Sequence, residues 1–244
     1  MLKNKVKMTM VLSMLMVLLM STMAFAHCIW VEIPTSVSRG ERFQALAFYA
    51  HPDDPIEERD MTELSLYAIA PDGEAHPIDL VKGETYQRAM MTLSEEGQWR
   101  LVLERQPSRY RLQEIRDAGK SVMWVGQTGT WVHEPLGLSL EIMVESERET
   151  AEGLIEVVLS VQYEGAPVRG AGVEVFRSLA DDPTLYEEID ELESDENGQI
   201  TVMVDPRHLY VFETDHRLPA RDVQGVGRFI TEVRFRSTLF LGSR

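Results

Sequence analysis

Histidines are the residues of this chain best suited to chemistry, because neutral imidazole is the commonest protein ligand for transition metals. The chain has six, and four of them are candidate ligands: His27, His51, His133 and His216. His27 has the strongest case. If the chain is cleaved after Ala26, His27 carries an α-amine as well as an imidazole, and the two nitrogens can close a chelate ring on one ion. The alternative for His27 is an exposed, frayed terminus.

The other three candidates lie near the ends of apolar runs or beside turn residues. His51 ends a run that is followed by two prolines, and an ordinary turn histidine is its alternative. His216 follows an apolar run and is expected in a loop, whereas His133 either ligates a metal or caps a turn. Imidazoles with an amine form a nitrogen-rich site that suits nickel, cobalt, copper or zinc. The residues therefore predict a divalent transition-metal site with His27, His51 and His216 as its main ligands.

Carboxylates and the single cysteine are weaker candidates. Asp53 and Asp54 could add oxygen ligands beside His51, although a solvated charged loop is the alternative. An acidic loop is expected over residues 179–193, but it lacks the Asp-x-Asp-x-Asp-Gly order of a calcium loop. Cys28 is expected to be a small buried side chain. The chain contains no Gly-x-Ser-x-Gly and no His-Glu-x-x-His motif, and we expect a protein that is not an enzyme.

Residues 1–26 have the composition of a secretory signal peptide. Three lysines precede an apolar run over residues 8–23, and the small residues Ala24 and Ala26 follow it. The run is short for a membrane-spanning helix, which needs about 20 residues, so cleavage and a periplasmic location are expected. A retained anchor and a lipoprotein modified at Cys28 are the alternatives.

The charge of the chain argues against nucleic acid as a partner. The chain has 24 basic and 40 acidic residues, a net charge of −16, and loss of the three lysines of the leader would make it −19. Binding to phosphate backbones needs a basic face. Seven of the 13 methionines lie in the first 23 residues, which does not support a methionine-rich copper site. One cysteine excludes an internal disulfide.

Short apolar runs separated by turn signals predict an all-β protein. The charged stretch over residues 145–153 is predicted as a linker between two β-sandwich domains, over residues 27–148 and 149–244. An immunoglobulin-like or transthyretin-like (prealbumin-like) arrangement is typical of such strand spacing. Residues 105–120 are the exception, because they are polar and rich in arginine. A short surface helix or an excursion between strands is expected there.

Two segments of the C-terminal half resemble the signature of prealbumin-like domains. They are Gly165-Ala166-Pro167-Val168-Arg169-Gly170-Ala171-Gly172-Val173-Glu174-Val175 and Ser194-Asp195-Glu196-Asn197-Gly198-Gln199-Ile200. The signature is shared by many binding modules, so it predicts a fold and not a function.

Further motifs extend the resemblance over nearly the whole chain after the leader. They are Ala26-His27-x-x-Trp30, His51, Leu136-Gly137-Leu138-Ser139-Leu140-Glu141-Ile142 and Phe212-x-x-x-His216. Together they are similar to a periplasmic family of nickel and cobalt uptake accessory proteins, long catalogued as a domain of unknown function. The resemblance implies a two-sandwich protein of the bacterial envelope that serves a metal-uptake transporter and has no catalytic residues.

The alternative function is a non-metal ligand-, carbohydrate- or protein-binding β-sandwich module of the cell envelope. In such a module the histidines would be incidental. An exposed row of aromatic side chains on one sheet would favour it, and Trp99, Trp124 and Trp131 are the candidates.

Overall fold

The computed structural model describes residues 27–53, 64–83, 85–182 and 184–244. Within these ranges the regular structure is strand apart from one 3-10 turn, Ala220–Asp222, which confirms the all-β prediction. No helix in this part of the chain is long and apolar enough to cross a membrane. The predicted leader, residues 1–26, and the candidate ligand Asp54 lie outside the described residues.

The strands of the described ranges form three sheets. In chain order they are β1 (Cys28–Glu32), β2 (Ser36–Val37), β3 (Arg42–Ala50), β4 (Leu64–Ile69), β5 (Ala75–Ile78), β6 (Val81–Lys82), β7 (Gln87–Thr92), β8 (Gly97–Tyr110), β9 (Gln113–Val125), β10 (Leu140–Glu149), β11 (Ile155–Tyr163), β12 (Ala166–Pro167), β13 (Gly172–Ser178), β14 (Tyr186–Glu193), β15 (Gln199–Val204), β16 (Tyr210–Pro219) and β17 (Glu232–Leu241). The central sheet has the order β14-β13-β16-β17-β9-β8-β4-β5, with β2 paired to β9. The N-terminal outer sheet is β1-β3-β7-β6, and the C-terminal outer sheet is β10-β11-β12 with β15 on β11.

The two outer sheets cover opposite faces of the central sheet, so the chain forms two β-sandwiches that share one sheet. Phe212 packs in the core formed with β10 and β11, whereas its neighbour Val211 packs with Trp30 of β1. Successive strand residues point to opposite faces, which places the two outer sheets on opposite sides. A parallel pairing of β17 with β9 joins the two halves of the chain.

Residues 105–120, expected as a helix or an excursion, instead form most of a β-hairpin. β8 pairs with β9 around a short turn in which Arg111 has φ 57°. Two of the arginines that suggested a polar helix form ion pairs with acidic residues on the same or the neighbouring strand. Arg105 Nε donates to Asp117 Oδ2 at 2.6 Å, and Arg116 Nη2 donates to Glu114 Oε1 at 2.8 Å. Ion pairs along and between strands therefore produced the polar pattern, and the helix prediction was wrong.

The predicted linker and acidic loop are also partly strand. β10 pairs with β11 through residue 149, which leaves only residues 150–154 as the connection. The predicted boundary between residues 148 and 149 falls inside β10, and Trp131 and Ile142 already pack in the C-terminal core. The second half of the predicted acidic loop is the edge strand β14, whose charges oppose pairing with another chain. Two separately folding domains stay a prediction.

Strand β1 crosses the central sheet very closely at Gly119. A Cβ atom there would lie 2.7 Å from the Ile29 carbonyl oxygen and 2.6 Å from Thr238 Oγ1. The Thr238 hydroxyl donates to the same carbonyl at 2.6 Å. Glycine leaves room for this approach, which fixes the start of β1, and Cys28 with it, against the central sheet.

Candidate metal centre

Two glutamates face each other across β13 and β16. Glu174 and Glu213 are directly paired in the antiparallel register. Like charges in this position destabilise a sheet, and the destabilisation is removed when a proton or a cation lies between them. Val173 and Val175, the sequence neighbours of Glu174, are completely buried. Glu174 points to the opposite face of β13 from these two valines, where it is partly exposed beside the buried Glu213.

His51 brings a nitrogen to this pair from the N-terminal half. Its Nε2 lies 4.0 Å from Glu174 Oε2. One donor atom each of His51, Glu174 and Glu213 lie within 4.8 Å of one another, and within the described ranges this is the one such group of three or more His, Cys, Asp or Glu side chains. His51 Nδ1 contacts Asp53 Oδ1. A carboxylate on Nδ1 orients the ring and leaves Nε2 as the ligating nitrogen, which gives Asp53 a supporting place beside the cluster.

Glu213 is the buried member of the cluster. It is 5 % exposed, and its Oε2 has no hydrogen-bond partner. Burial raises the pKa of Glu213 to about 7, while Arg236 and a hydrogen bond from Cys28 act in the opposite direction. A buried acceptor without a partner costs about 1–3 kcal/mol. This oxygen is therefore available to a cation or a proton.

Cys28 is a neutral hydrogen-bond donor to the cluster. The residue is completely buried, which confirms the expectation of a small buried side chain. Burial raises the pKa of the Cys28 thiol well above its usual value, and the negative charge of Glu213 raises it further. The thiol thus donates to Glu213 and does not supply a thiolate.

The cluster opens to solvent at Glu174. This side chain is 41 % exposed, compared with 13 % for His51. Burial raises the pKa of Glu174, His51 lowers it, and Glu188 and Glu191 of β14 raise it. The carboxylates of this edge strand make the entrance negative, which favours the arrival of cations.

Two oxygens and one nitrogen suit a divalent transition metal. Bonds of about 2.0–2.1 Å place two ligands of one ion at most about 4.2 Å apart. Donors that now lie within 4.8 Å of one another would each move by roughly half an ångström to reach one ion. Two carboxylates balance the charge of the ion, and a three-ligand set leaves room for a further donor.

The structure places His27 beside His51 but not in the cluster. The first pair of the β1–β3 ladder is Cys28 with Ala50, so His27 and His51 are the next residues outward. The His27 ring packs edge-on against Tyr49 with centroids 5.9 Å apart, whereas the His51 ring packs against Phe176 at 5.3 Å. The register therefore brings the two residues together through their backbones, and the two imidazoles have different neighbours.

His216 lies on the opposite face of the central sheet from Glu213. It is inside β16 and not in a loop, so that part of the prediction was wrong. The two positions are three residues apart in one strand, and side chains at an odd offset point to opposite faces. The His216 ring contacts Tyr163 at a centroid distance of 5.1 Å. The structure does not bring His216 to His51.

His133 is buried between the central and C-terminal outer sheets, away from the cluster. It is 7 % exposed, and its Nδ1 lies 3.0 Å from the Trp131 carbonyl oxygen. Burial lowers the pKa of His133 to about 3, and Lys120 lowers it further, while the bond to Trp131 raises it. The positive charge of Lys120 disfavours a metal ion there. His133 does not join His51 in a shared site.

The neutral His133 makes a specific contribution to acid sensitivity. In the unfolded chain it takes up a proton below about pH 6.5, but the folded protein resists protonation until about pH 3. Folding stability therefore falls on acidification within this window, by up to about 1.4 kcal/mol per pH unit from this residue. We expect the free energy of unfolding of His133→Gln, measured with urea, to fall less steeply than that of the original protein between about pH 6.5 and about pH 4. An unchanged slope, equal to that of the control His76→Gln, would contradict this assignment.

Glu174 and Glu213 were not among the sequence candidates. A usable signal existed, because each is a single acid within an apolar run: Val173-Glu174-Val175-Phe176 and Tyr210-Val211-Phe212-Glu213. A carboxylate in a buried strand is rare unless it is paired. The register that opposes the two glutamates is not readable from either run alone.

The fold and the cluster together define an all-β, double-sandwich protein with a candidate cation site between its halves. The chain belongs to the DUF4198 family, described as a domain of unknown function, whose model matches residues 24–218. This confirms the resemblance at the level of a family of unknown function. No curated protein matches the chain.

Proposed function

We propose that this protein binds a divalent transition metal, nickel or cobalt, as a non-enzymatic periplasmic accessory protein of a metal-uptake transporter. The observation that carries the proposal is the buried Glu213 oxygen without a hydrogen-bond partner, which lies next to Glu174 and His51. The entrance at Glu174 is negatively charged, and two carboxylates neutralise the charge of a divalent ion. Both features favour a metal ion over a neutral ligand. The choice of nickel or cobalt comes from the family resemblance, and the donor set also suits copper and zinc.

A processed N-terminus would add a nitrogen to the proposed site. If the leader is cleaved after Ala26, the new α-amine sits on His27, the residue next to His51 in the β1–β3 register. The amine, His51, Glu174 and Glu213 would then give four donors. This role of His27 uses its backbone nitrogen and needs no contribution from its imidazole.

The site is tested by calorimetric titration of nickel, cobalt, copper and zinc into the processed protein. We expect His51→Gln to weaken binding of the preferred metal by at least about tenfold, because the ring supplies one of three side-chain ligands. The matched control is His76→Gln, a half-exposed histidine in β5 outside the cluster. If the two variants and the original protein bind the metal with equal affinity, His51 is not a ligand.

The role of the N-terminus needs a separate comparison. Processed protein that begins at His27 is compared with protein that carries one extra alanine before it. Weaker binding in the extended protein would support the α-amine as a ligand. Identical binding, with loss only in His51→Gln, would leave a three-ligand site of side chains.

The aromatic side chains do not favour the alternative of a carbohydrate-binding module. Trp99 and Trp131 are 5 % and 1 % exposed, and Trp124 is half-buried with its Nε1 donating to the Thr130 carbonyl at 2.7 Å. These three rings do not form an exposed row. The metal site is therefore the function that the geometry supports best.

A further inference from the structure

The end of the central sheet where β8 turns into β9 carries exposed apolar side chains. Tyr110 is 52 % exposed and Leu112 is 55 % exposed. The loop before β17 adds Phe229, which is 83 % exposed. Thr231 N donates to the Leu112 carbonyl at 2.8 Å, which ties this loop to the hairpin turn. We call the end of this hairpin, residues 109–112, together with the loop 227–231 the sheet tip.

Arginines without an acidic partner surround these apolar groups. Arg109, Arg111 and Arg228 are exposed, and none of the three forms an ion pair with another described residue. The Arg109 guanidinium packs on the loop, since a Cβ added to Gly227 would lie 2.4 Å from its Nη2. The Arg111 guanidinium lies 5.2 Å from the centre of the Tyr110 ring.

This charge is unusual for the molecule. The chain as a whole carries a net charge of −16, and most of its other surface arginines pair with acids. Glu114, the register partner of Arg109, forms its ion pair with Arg116, and Glu232 of β17 accepts a hydrogen bond from the Gln113 amide. The sheet tip is therefore a small surface patch that is positively charged and apolar, on a protein whose net charge is negative.

We propose that the sheet tip docks on an anionic lipid surface. Arginine together with exposed aromatic and aliphatic side chains is the combination that places a protein in the interfacial layer of a bilayer. The patch consists of the end of one hairpin and one adjoining loop at one end of a sheet. That shape suits shallow insertion between headgroups, whereas a stable protein interface needs about 800 Å² from each partner. The inference does not depend on the proposed metal site.

The test is co-sedimentation of the protein with vesicles of phosphatidylcholine alone or mixed with phosphatidylglycerol. We expect binding to the mixed vesicles, weakened by salt, and little binding to phosphatidylcholine. Each arginine near an anionic surface strengthens partitioning about fivefold. The variant Arg109→Gln/Arg111→Gln/Arg228→Gln is therefore expected to lose well over tenfold, and Phe229→Ser about tenfold.

Matched controls remove the same groups elsewhere on the surface. Arg148→Gln/Arg169→Gln/Arg207→Gln removes three exposed arginines, and Met203→Ser removes an exposed apolar side chain. Both are expected to bind like the original protein. Binding that is insensitive to phosphatidylglycerol, or lost equally in the control variants, would overturn the proposal. A concentration-dependent dimer abolished by Phe229→Ser would also overturn it, by assigning the tip to self-association.

Discussion

Glu213→Gln is expected to abolish the stabilisation of the protein by metal and, at the same time, to stabilise the metal-free protein. A carboxamide keeps the shape of the side chain but removes the charge that would bind the ion. A metal present at about 100 times its Kd raises the free energy of unfolding by about 2.7 kcal/mol, and the variant should lose this gain. Thermal unfolding with and without metal measures it.

The gain in metal-free stability follows from the raised pKa of Glu213. The folded pKa is about 7, above the value of 4.5 for an ordinary glutamate. The contribution of Glu213 to stability is therefore full below about pH 4.5 and is lost as pH rises to about 7. Above about pH 7 the variant should be more stable by at most about 3.5 kcal/mol, because the pKa difference is about 2.5 units and each unit corresponds to about 1.4 kcal/mol.

The pH dependence separates this explanation from a general effect of the substitution. The stability difference between variant and original protein should vanish below about pH 4.5, where both side chains are neutral. Glu152→Gln, in the exposed turn between β10 and β11, is the matched control and should change neither stability nor metal response. If metal stabilises the Glu213→Gln protein as much as the original protein, Glu213 is not a ligand.

The second large effect is expected at the buried ion pair of Lys120 and Glu141. Lys120 Nζ lies 2.5 Å from Glu141 Oε1, and the two side chains are 0 % and 4 % exposed. The pair links β9 of the central sheet to β10 of the C-terminal outer sheet. Removing one partner of such a pair costs about 3–5 kcal/mol, because it leaves a buried charge without compensation. We expect Glu141→Leu to lower the free energy of unfolding by this amount.

The two partners should differ in their effects. Glu141 also accepts hydrogen bonds from the backbone N–H groups of Leu136 and Gly137, at 2.9 Å and 3.2 Å. Lys120→Met leaves these bonds in place, and burial already lowers the pKa of Lys120 to about 8. The loss in Lys120→Met should therefore be smaller than in Glu141→Leu.

Urea unfolding of both single variants and of Lys120→Met/Glu141→Leu measures the coupling. The double variant should recover much of the stability lost in Glu141→Leu, since no charge is then buried. Strictly additive losses, or losses below about 1 kcal/mol in both single variants, would show that the pair does not stabilise the link between the sheets.

The local pattern of the chain was sufficient for the fold class but not for the arginine-rich and acidic stretches. Alternation in β3 placed Phe43, Ala45 and Ala47 on one face, and these three residues pack together in the N-terminal core. The arginines of residues 105–120 resembled a helix surface because their partners, such as Asp117, lie on a neighbouring strand. Such a partner depends on strand pairing, which local periodicity does not report.

By itself the sequence determined that this protein is built of strands and that it belongs to a family without an assigned function. It also singled out His51, which the structure places in the cluster. Only the tertiary structure decided what surrounds His51. Glu174 and Glu213 meet because β13 and β16 pair in one register, and a shift of one residue would turn either side chain to the other face. The same alternation separates His216 from Glu213, although the two are close in the chain.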